Sequence, residues 1–545
     1  MDFRNSCHFR RYKAFYDPRA GERMRIEVKE KYISDEIDPF AIIYEYENPK
    51  TYTTFVELSY KPLIDKLIEI LPDNNDLICP TPKVKAQALF HVLDKLHDDA
   101  ESEPDESSGT KQLIQFLKQE YEQEIRARNY MIARRVVSFD MLWIFFPPNQ
   151  FVWYRCNLSG QQLGGEVSEI HETRDYRNNP EGKRVIDISI KMIDCDGKGF
   201  KYGNVKRRIE YFEGEKKFSE LDVVPFVYTE SQDFLRRDFA KRGKKFFDLA
   251  KGRHYKGYKG PLLRWKEVNN CVRLEKIRAD GRIMIDAESF AIMNPDYQYM
   301  GNATPPSECD IQLLIARNVY LDDESISKEK NHIFAPATVY GFSFALKEWG
   351  CFDVSKINDV FFNLHDLDKL VINQEYKDLL LGLVKEHNDL LFKSPDHIAG
   401  KGNGCIILCY GAPGTGKTFT AESVAESLKR PLWVLGMHEL GTEPDEVEKK
   451  LIMIQYVAHE WKAILLLKKA DIYLERCSTN DLKRNAMVSI FLRFFECYQG
   501  MLFLTTNRIT SFSDEIFSHV NIFFHYPFLD QKSKSMLWTK WSRDS

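Results

Sequence analysis

The chain has no Cys-x-x-Cys pair, and its eleven cysteines are scattered. That points to reduced, mostly buried thiols in an intracellular protein. No apolar run approaches the roughly 20 residues a membrane-spanning helix needs. The opening residues, Met1-Asp2-Phe3-Arg4-Asn5, lack the apolar core of a secretory signal. There is no surplus of basic charge either. The formal net charge is −4, so nothing global marks a nucleic-acid binder. His-Glu-x-x-His is absent, and Gly341-Phe342-Ser343-Phe344-Ala345 lacks the final glycine of a nucleophile elbow, which leaves a buried strand there. With 43% hydrophobic and 29% charged residues, the composition is that of a soluble globular protein, expected to be intracellular and cytoplasmic. Its 545 residues exceed one ordinary core and suggest three or so domains.

What the sequence does contain is a complete phosphate-binding loop: Gly411-Ala412-Pro413-Gly414-Thr415-Gly416-Lys417-Thr418, continuing into Phe419. The apolar run Cys405–Tyr410 before it predicts a short buried strand, and Phe419 to Lys429 after it predicts a helix. Strand, glycine-rich loop and helix N-terminus are the context the motif requires. Gly414 and Gly416 let backbone N–H groups curl around an anion, and the helix N-terminus adds free donors and partial positive charge. Lys417 is placed to reach the β- and γ-phosphates, and the Thr418 hydroxyl to ligate Mg²⁺ held by the nucleotide.

Ahead of the loop the chain changes character several times. Helices are expected near Leu63–Leu71, Val84–Leu96 and Leu113–Tyr121, with an acidic, breaker-rich linker near 98–109, so residues 1–145 form a helical, partly disordered N-terminal region. Residues 146–345 form a β-rich domain. Ile186, Ile188, Ile190 and Met192 alternate with polar residues, Asp196-Gly197 marks a turn, Ile209 and Tyr211 a partner strand, and Gly281–Ile285 another. One helix is inserted near Asp233 to Ala250. The basic runs Arg134-Arg135, Lys206-Arg207-Arg208 and Arg236 to Lys245 fit solvated faces better than a nucleic-acid patch. Residues 346–403 form a helical connector. Its stripe includes Ile372, Tyr376, Leu379, Leu383, His387 and Leu390, Pro395 stops it, and Gly400-Lys401-Gly402-Asn403-Gly404 follows as a flexible entry. From 404 to 545 strands and helices alternate. Candidate strands are Cys405–Tyr410, Pro431–Leu435, Ala463–Leu467, Met501–Thr505 and Ile522–His525. The fold class is therefore α/β with a parallel, doubly wound sheet at the C-terminal end.

The phosphate loop, taken with Thr505-Thr506-Asn507-Arg508, resembles the AAA-type (AAA+) ATPases among P-loop NTPases. A fungal subgroup with an uncharacterised β-rich domain ahead of the ATPase is the closer match. It shares Thr420-Ala421-Glu422-Ser423-Val424-Ala425-Glu426, Asn485-Ala486-x-Val488-Ser489-x-Phe491-Leu492-Arg493 and Tyr498-Gln499-Gly500, with looser landmarks at Gly341-Phe342-Ser343, Trp349 and Arg242-Gly243-Lys244. The resemblance implies ATP and ADP as ligands, Mg²⁺ as cofactor, a homo- or hetero-oligomeric ring and an unidentified protein client. It implies that Asn507 is the sensor positioning water, and that an Asp-Glu pair should end strand Ala463–Leu467. Here those positions are Lys468 and Lys469. A carboxylate accepts from metal-bound and attacking water; an ammonium cannot. The family's arginine finger should fall at His519, which lacks the bidentate fork. After His525 only a short tail follows to Ser545, where the family's helical lid is expected; the lid is missing or the sequence truncated. Gly436-Met437-His438-Glu439-Leu440-Gly441 offers no clear aromatic pore residue.

Three functions follow. One is an ATP-binding, hydrolysis-poor pseudoenzyme acting in assembly or remodelling, and a second is an active remodelling ATPase in which Asp471 or a partner compensates. The third is a scaffold with a vestigial nucleotide site.

Overall fold

The computed structural model describes residues 10–17, 22–28, 38–48, 51–72, 74–102, 108–176, 182–268, 271–295, 320–390, 404–475, 482–512, 514–531, 534–535 and 538. Pro395 and the glycine-rich entry at 400–403 lie outside them, as does the side chain of His387. The chain divides into two compact units: residues 1–154, 164–191 and 206–233, and residues 155–163, 192–205 and 234–545.

In the first unit the helical expectation needs correction. A five-stranded sheet comes first, built from Arg11–Asp17, Glu22–Glu27, Phe40–Asn48, Thr51–Leu58 and Lys83–Lys85. Phe40, Ile42, Ile43, Tyr44 and Tyr46 are β-branched or aromatic, the residue types that fit a pleated surface. The helix expected over Val84–Leu96 is instead the last of these strands followed by helices Ala86–His91 and Leu93–Ser102. The acidic stretch therefore starts inside a helix, and residues 103–107 lie outside the described ones. Helices Lys61–Ile70 and Ser108–Glu120 fall where the apolar spacing put them.

In the β-rich part, Ile186 to Met192 lie on strand Lys183–Cys195, and Ile209 on Phe200–Glu210, which ends one residue before Tyr211. The inserted helix runs Gln232–Ala250. The connector expected from 346 starts differently. Strands Glu348–Asp353 and Ile357–Asn358 belong to a seven-stranded sheet that also holds His254–Tyr258, Gly281–Ile285 and Thr338–Ser343. The helical part is confined to Asp366–Lys369 and Gln374–Leu390.

The C-terminal part is an α/β domain with an all-parallel sheet. Its strands are β1 (Cys405–Gly411), β2 (Leu432–Leu435), β3 (Ile464–Leu467), β4 (Met501–Thr506) and β5 (Ile522–Tyr526), in spatial order β2-β3-β4-β1-β5. Helices α1 (Lys417–Leu428), α2 (Pro444–Glu460) and α3 (Leu482–Cys497) join the first four. The apolar runs Ile464–Leu467 of β3 and Met501–Leu504 of β4 follow from burial on both faces. Leu465, Leu467, Leu502 and Leu504 pack with α2 and α3 on one side; Ile464, Leu466, Phe503 and Phe524 pack with α1 on the other. Pro444 at the start of α2 and the acidic Asp445 and Glu446 in its first turn suit a helix N-terminus.

This sheet shares its core with the seven-stranded one. Met284 and Phe342 belong to the same buried cluster as Trp433 and Trp461. Trp433 and Trp461 stack with ring centroids 5.1 Å apart, and Phe342 lies 5.0 Å from Trp433.

Candidate functional site

β1 ends at the sheet's carboxyl edge, and the chain turns through 412–416 into α1. Gly411, Gly414 and Gly416 take φ of 136°, 73° and 97°. The three glycines are needed for different reasons. A Cβ on Gly411 would lie 2.0 Å from the Tyr526 carbonyl oxygen of β5, so this glycine permits backbone contact. At Gly414 and Gly416 a Cβ would meet nothing within 4 Å; there only the left-handed backbone demands glycine. Gly411→Ala is therefore expected to destabilise the domain by about 3 kcal/mol or more, from overpacking plus backbone strain. Chemical denaturation of the full chain measures it.

Lys417 opens α1 and is 8% exposed. Its Nζ donates to the Gly411 carbonyl at 2.9 Å and the Ala412 carbonyl at 2.5 Å, so the side chain folds back along the loop. Burial pushes its pKa below the ordinary lysine value. The Thr415 hydroxyl donates to the Ala412 carbonyl at 2.7 Å, and Thr420 bonds the Tyr526 hydroxyl at 2.5 Å, tying loop and helix to β5.

A cavity of about 460 Å³ opens in front of the loop. Residues 413–419 line one wall, with Glu422 one helical turn beyond Thr418. Lys468, Lys469, Thr505, Thr506 and Asn507 line the other. The two lysines and the asparagine singled out from the sequence thus face the phosphate loop across one space. Gly411 and Ala412 stand behind the loop as acceptors for Lys417.

The lysine turn is held from both sides. The Lys468 N–H donates to Leu435 O on β2 at 3.1 Å, and the Ala470 N–H to Thr505 O on β4 at 2.9 Å. Lys469 takes a left-handed φ of 52°. Neither Asp471 nor Glu475 is among the described residues that line the cavity, although Asp471 bonds one that does. Asp471 Oδ1 accepts from Thr506 Oγ1 at 2.8 Å, and Glu475 lies 3.7 Å from Arg484. His519 follows the short helix Asp514–Phe517; its N–H donates to Ile516 O at 3.1 Å, and it is not among the described residues that line the cavity.

Sequence reasoning did not give Glu422 a place in the site. Its signal was positional: four residues after Thr418 puts it on the same helix face. Desolvation pushes its carboxyl above the ordinary value, and the charge of Lys468 pulls it down. Glu426, one turn further, is also engaged. Its Oε2 accepts from Arg282 at 2.8 Å and from the Asn363 N–H at 2.9 Å.

Can the cavity hold what a phosphate loop implies? For a triphosphate the fit is good: two glycines with open space before them, a helix N-terminus and a buried ammonium. For Mg²⁺ it is poor. The Thr418 hydroxyl is present, but the described lining offers one carboxylate, Glu422, with a lysine within its electrostatic reach. Among the described residues no group of three or more His, Cys, Asp or Glu could hold a metal ion, and no helix is long and apolar enough to cross a membrane.

Residues 407–528 match the family described as ATPase family associated with various cellular activities (AAA), and residues 127–230 match a domain of unknown function (DUF7025). The C-terminal part of the chain is an AAA ATPase domain. No curated protein matches the chain. Among solved structures it is similar to the FIGL-1 AAA domain in complex with ADP, at 16% identity and a TM-score of 0.28, covering 34% of this chain and 63% of that one. It is also similar to the E. coli MS115-1 HORMA:CdnC:Trip13 complex, at 18% identity and a TM-score of 0.26, covering 32% of this chain and 70% of that one. The chain thus spans less than two thirds of the matched FIGL-1 chain.

Proposed function

We propose that the C-terminal domain binds ATP or ADP at Gly411 to Phe419 and hydrolyses ATP poorly or not at all. The observation that carries this is the single cavity in which an intact phosphate loop faces Lys468 and Lys469. Binding draws on the loop N–H groups, Lys417 and the dipole of α1. Hydrolysis needs a group that accepts a proton from, or orients, an attacking water. Two ammonium groups stand where that carboxylate is expected; a charged lysine is no base, and nearby phosphates favour its charged form. Asn507 remains to position water, while the Asp471 carboxylate is engaged by Thr506 at the cavity wall and Glu475 lies 3.7 Å from Arg484. The protein then works through nucleotide occupancy, as an assembly or remodelling factor for a protein client, alone or in an oligomer.

Steady-state phosphate release by the purified full chain tests this. Release is expected at background, and Lys468→Asp with Lys469→Glu restores little of it while His519 stands at the finger position, since an arginine there contributes about 10³–10⁵ in related NTPases. Brisk release that disappears in Lys417→Ala would overturn the reading.

A further inference from the structure

We propose that this site takes its nucleoside triphosphate without a divalent metal, the ammonium groups of Lys468 and Lys469 supplying the counter-charge. The inference rests on the nucleotide-binding reading above and adds which form of the nucleotide is bound. It begins from the mismatch between cavity and magnesium. Mg²⁺ needs near-octahedral oxygen ligands and is usually held through one or two carboxylates plus phosphate oxygens. The end of β3 offers none. Glu422, on the loop side, is the one carboxylate among the described lining residues, and desolvation disfavours its charged form.

The two lysines together carry the same +2 charge as the ion they would replace. The Lys468 N–H bonds β2 and the Ala470 N–H, directly after Lys469, bonds β4, so the turn that carries both charges is held at the sheet edge. Each ammonium brings three N–H donors and no acceptor, which suits phosphate oxygens and repels a cation. Both residues are exposed, so they cost little to keep charged before the ligand arrives. With Lys417 they place three cations around the phosphates. Metal-free ATP carries about two more negative charges than its magnesium complex, so this arrangement favours the metal-free form.

Calorimetric titration of the full chain with ATP, in EDTA and in excess Mg²⁺, tests the proposal. The dissociation constant in EDTA is expected to equal, or lie below, that in magnesium. Weakening of tenfold or more in EDTA overturns the inference and leaves nucleotide binding standing. Absence of binding under both conditions overturns nucleotide binding itself. In Lys468→Gln with Lys469→Gln, metal-free affinity is expected to fall at least tenfold. A double variant that melts like the parent and still binds metal-free ATP as tightly also overturns the inference. The comparison on the unaltered chain decides even if the variant does not fold.

Discussion

Lys417→Ala is expected to raise the dissociation constant for ATP by about 10²–10⁴-fold. The side chain carries the one buried ammonium at the loop, and in the free protein its donors reach only the Gly411 and Ala412 carbonyls. On the proposed function these donors turn to the β- and γ-phosphates, giving two charge-assisted hydrogen bonds worth about 1.5–3 kcal/mol each. Every 1.4 kcal/mol is tenfold in affinity, which gives the range. Two opposing effects are smaller. Rotating Lys417 away leaves the Gly411 and Ala412 carbonyls without this donor, a cost of about 1–3 kcal/mol that narrows the gain. Burial disfavours the ammonium in the free protein, and the arriving phosphates favour it again. The second effect sets a sign for pH. The free protein's Lys417 has a lowered pKa and the bound form a higher one, so binding takes up a proton once pH passes the lower value. Affinity should therefore fall as pH rises through the lowered Lys417 pKa. Titration with a fluorescent nucleotide across alkaline pH reads both predictions, and a thermal melt confirms that the variant is folded. Arginine at 417 should not rescue, because its wider fork must enter a site where lysine is already 8% exposed.

The C-terminal sheet was legible from the sequence because local signals agreed there. Each strand is a short apolar run, each helix has its stripe, and the phosphate loop fixes the junction between β1 and α1. Strand ends moved by a residue, as at Leu432 and Thr506. The N-terminal sheet was missed because the charged, mixed composition around it hid two alternating stretches, Phe40–Asn48 and Thr51–Leu58, whose partners are chosen by tertiary pairing. The boundary at 346 failed for a related reason. Glu348–Asp353 is a strand only because Thr338–Ser343 and Pro261–Val268 lie beside it. Within the site, the motif reached the residues contiguous with Gly411 and, by resemblance, Lys468, Lys469 and Asn507. It could not reach Glu422's place in the same cavity as Lys468, since no local pattern states what faces a helix across a cavity. Nor could it tell that Asp471 is bonded to Thr506.

Trp461→Ala is expected to destabilise the second unit by about 3–5 kcal/mol, the range for deleting a large buried aromatic. Trp461 directly follows α2, is 5% exposed and touches both sheets' shared cluster. Its ring lies 5.1 Å from Trp433, 5.6 Å from Trp349 and 5.7 Å from Phe342. Its Nε1 donates to Asp286 Oδ2 at 2.7 Å, and that carboxylate is 1% exposed. Asp286 also accepts from Arg253 Nε at 3.1 Å and from the Ser289 N–H at 2.9 Å and hydroxyl at 2.6 Å, so it keeps partners when the indole goes. The loss is therefore mainly packing, and Trp461→Phe, which keeps a six-membered ring but loses the rest of the indole with its N–H, should cost less, about 1–3 kcal/mol. The location of the damage is the sharper test. One cluster joins Phe342 of the seven-stranded sheet to Trp433 of β2, so the void opens against both sheets at once. Hydrogen exchange should show Thr338–Ser343 and Leu432–Leu435 losing protection together in Trp461→Ala. If only the parallel sheet loosened while Thr338–Ser343 kept its protection, the seven-stranded sheet would be stable by itself.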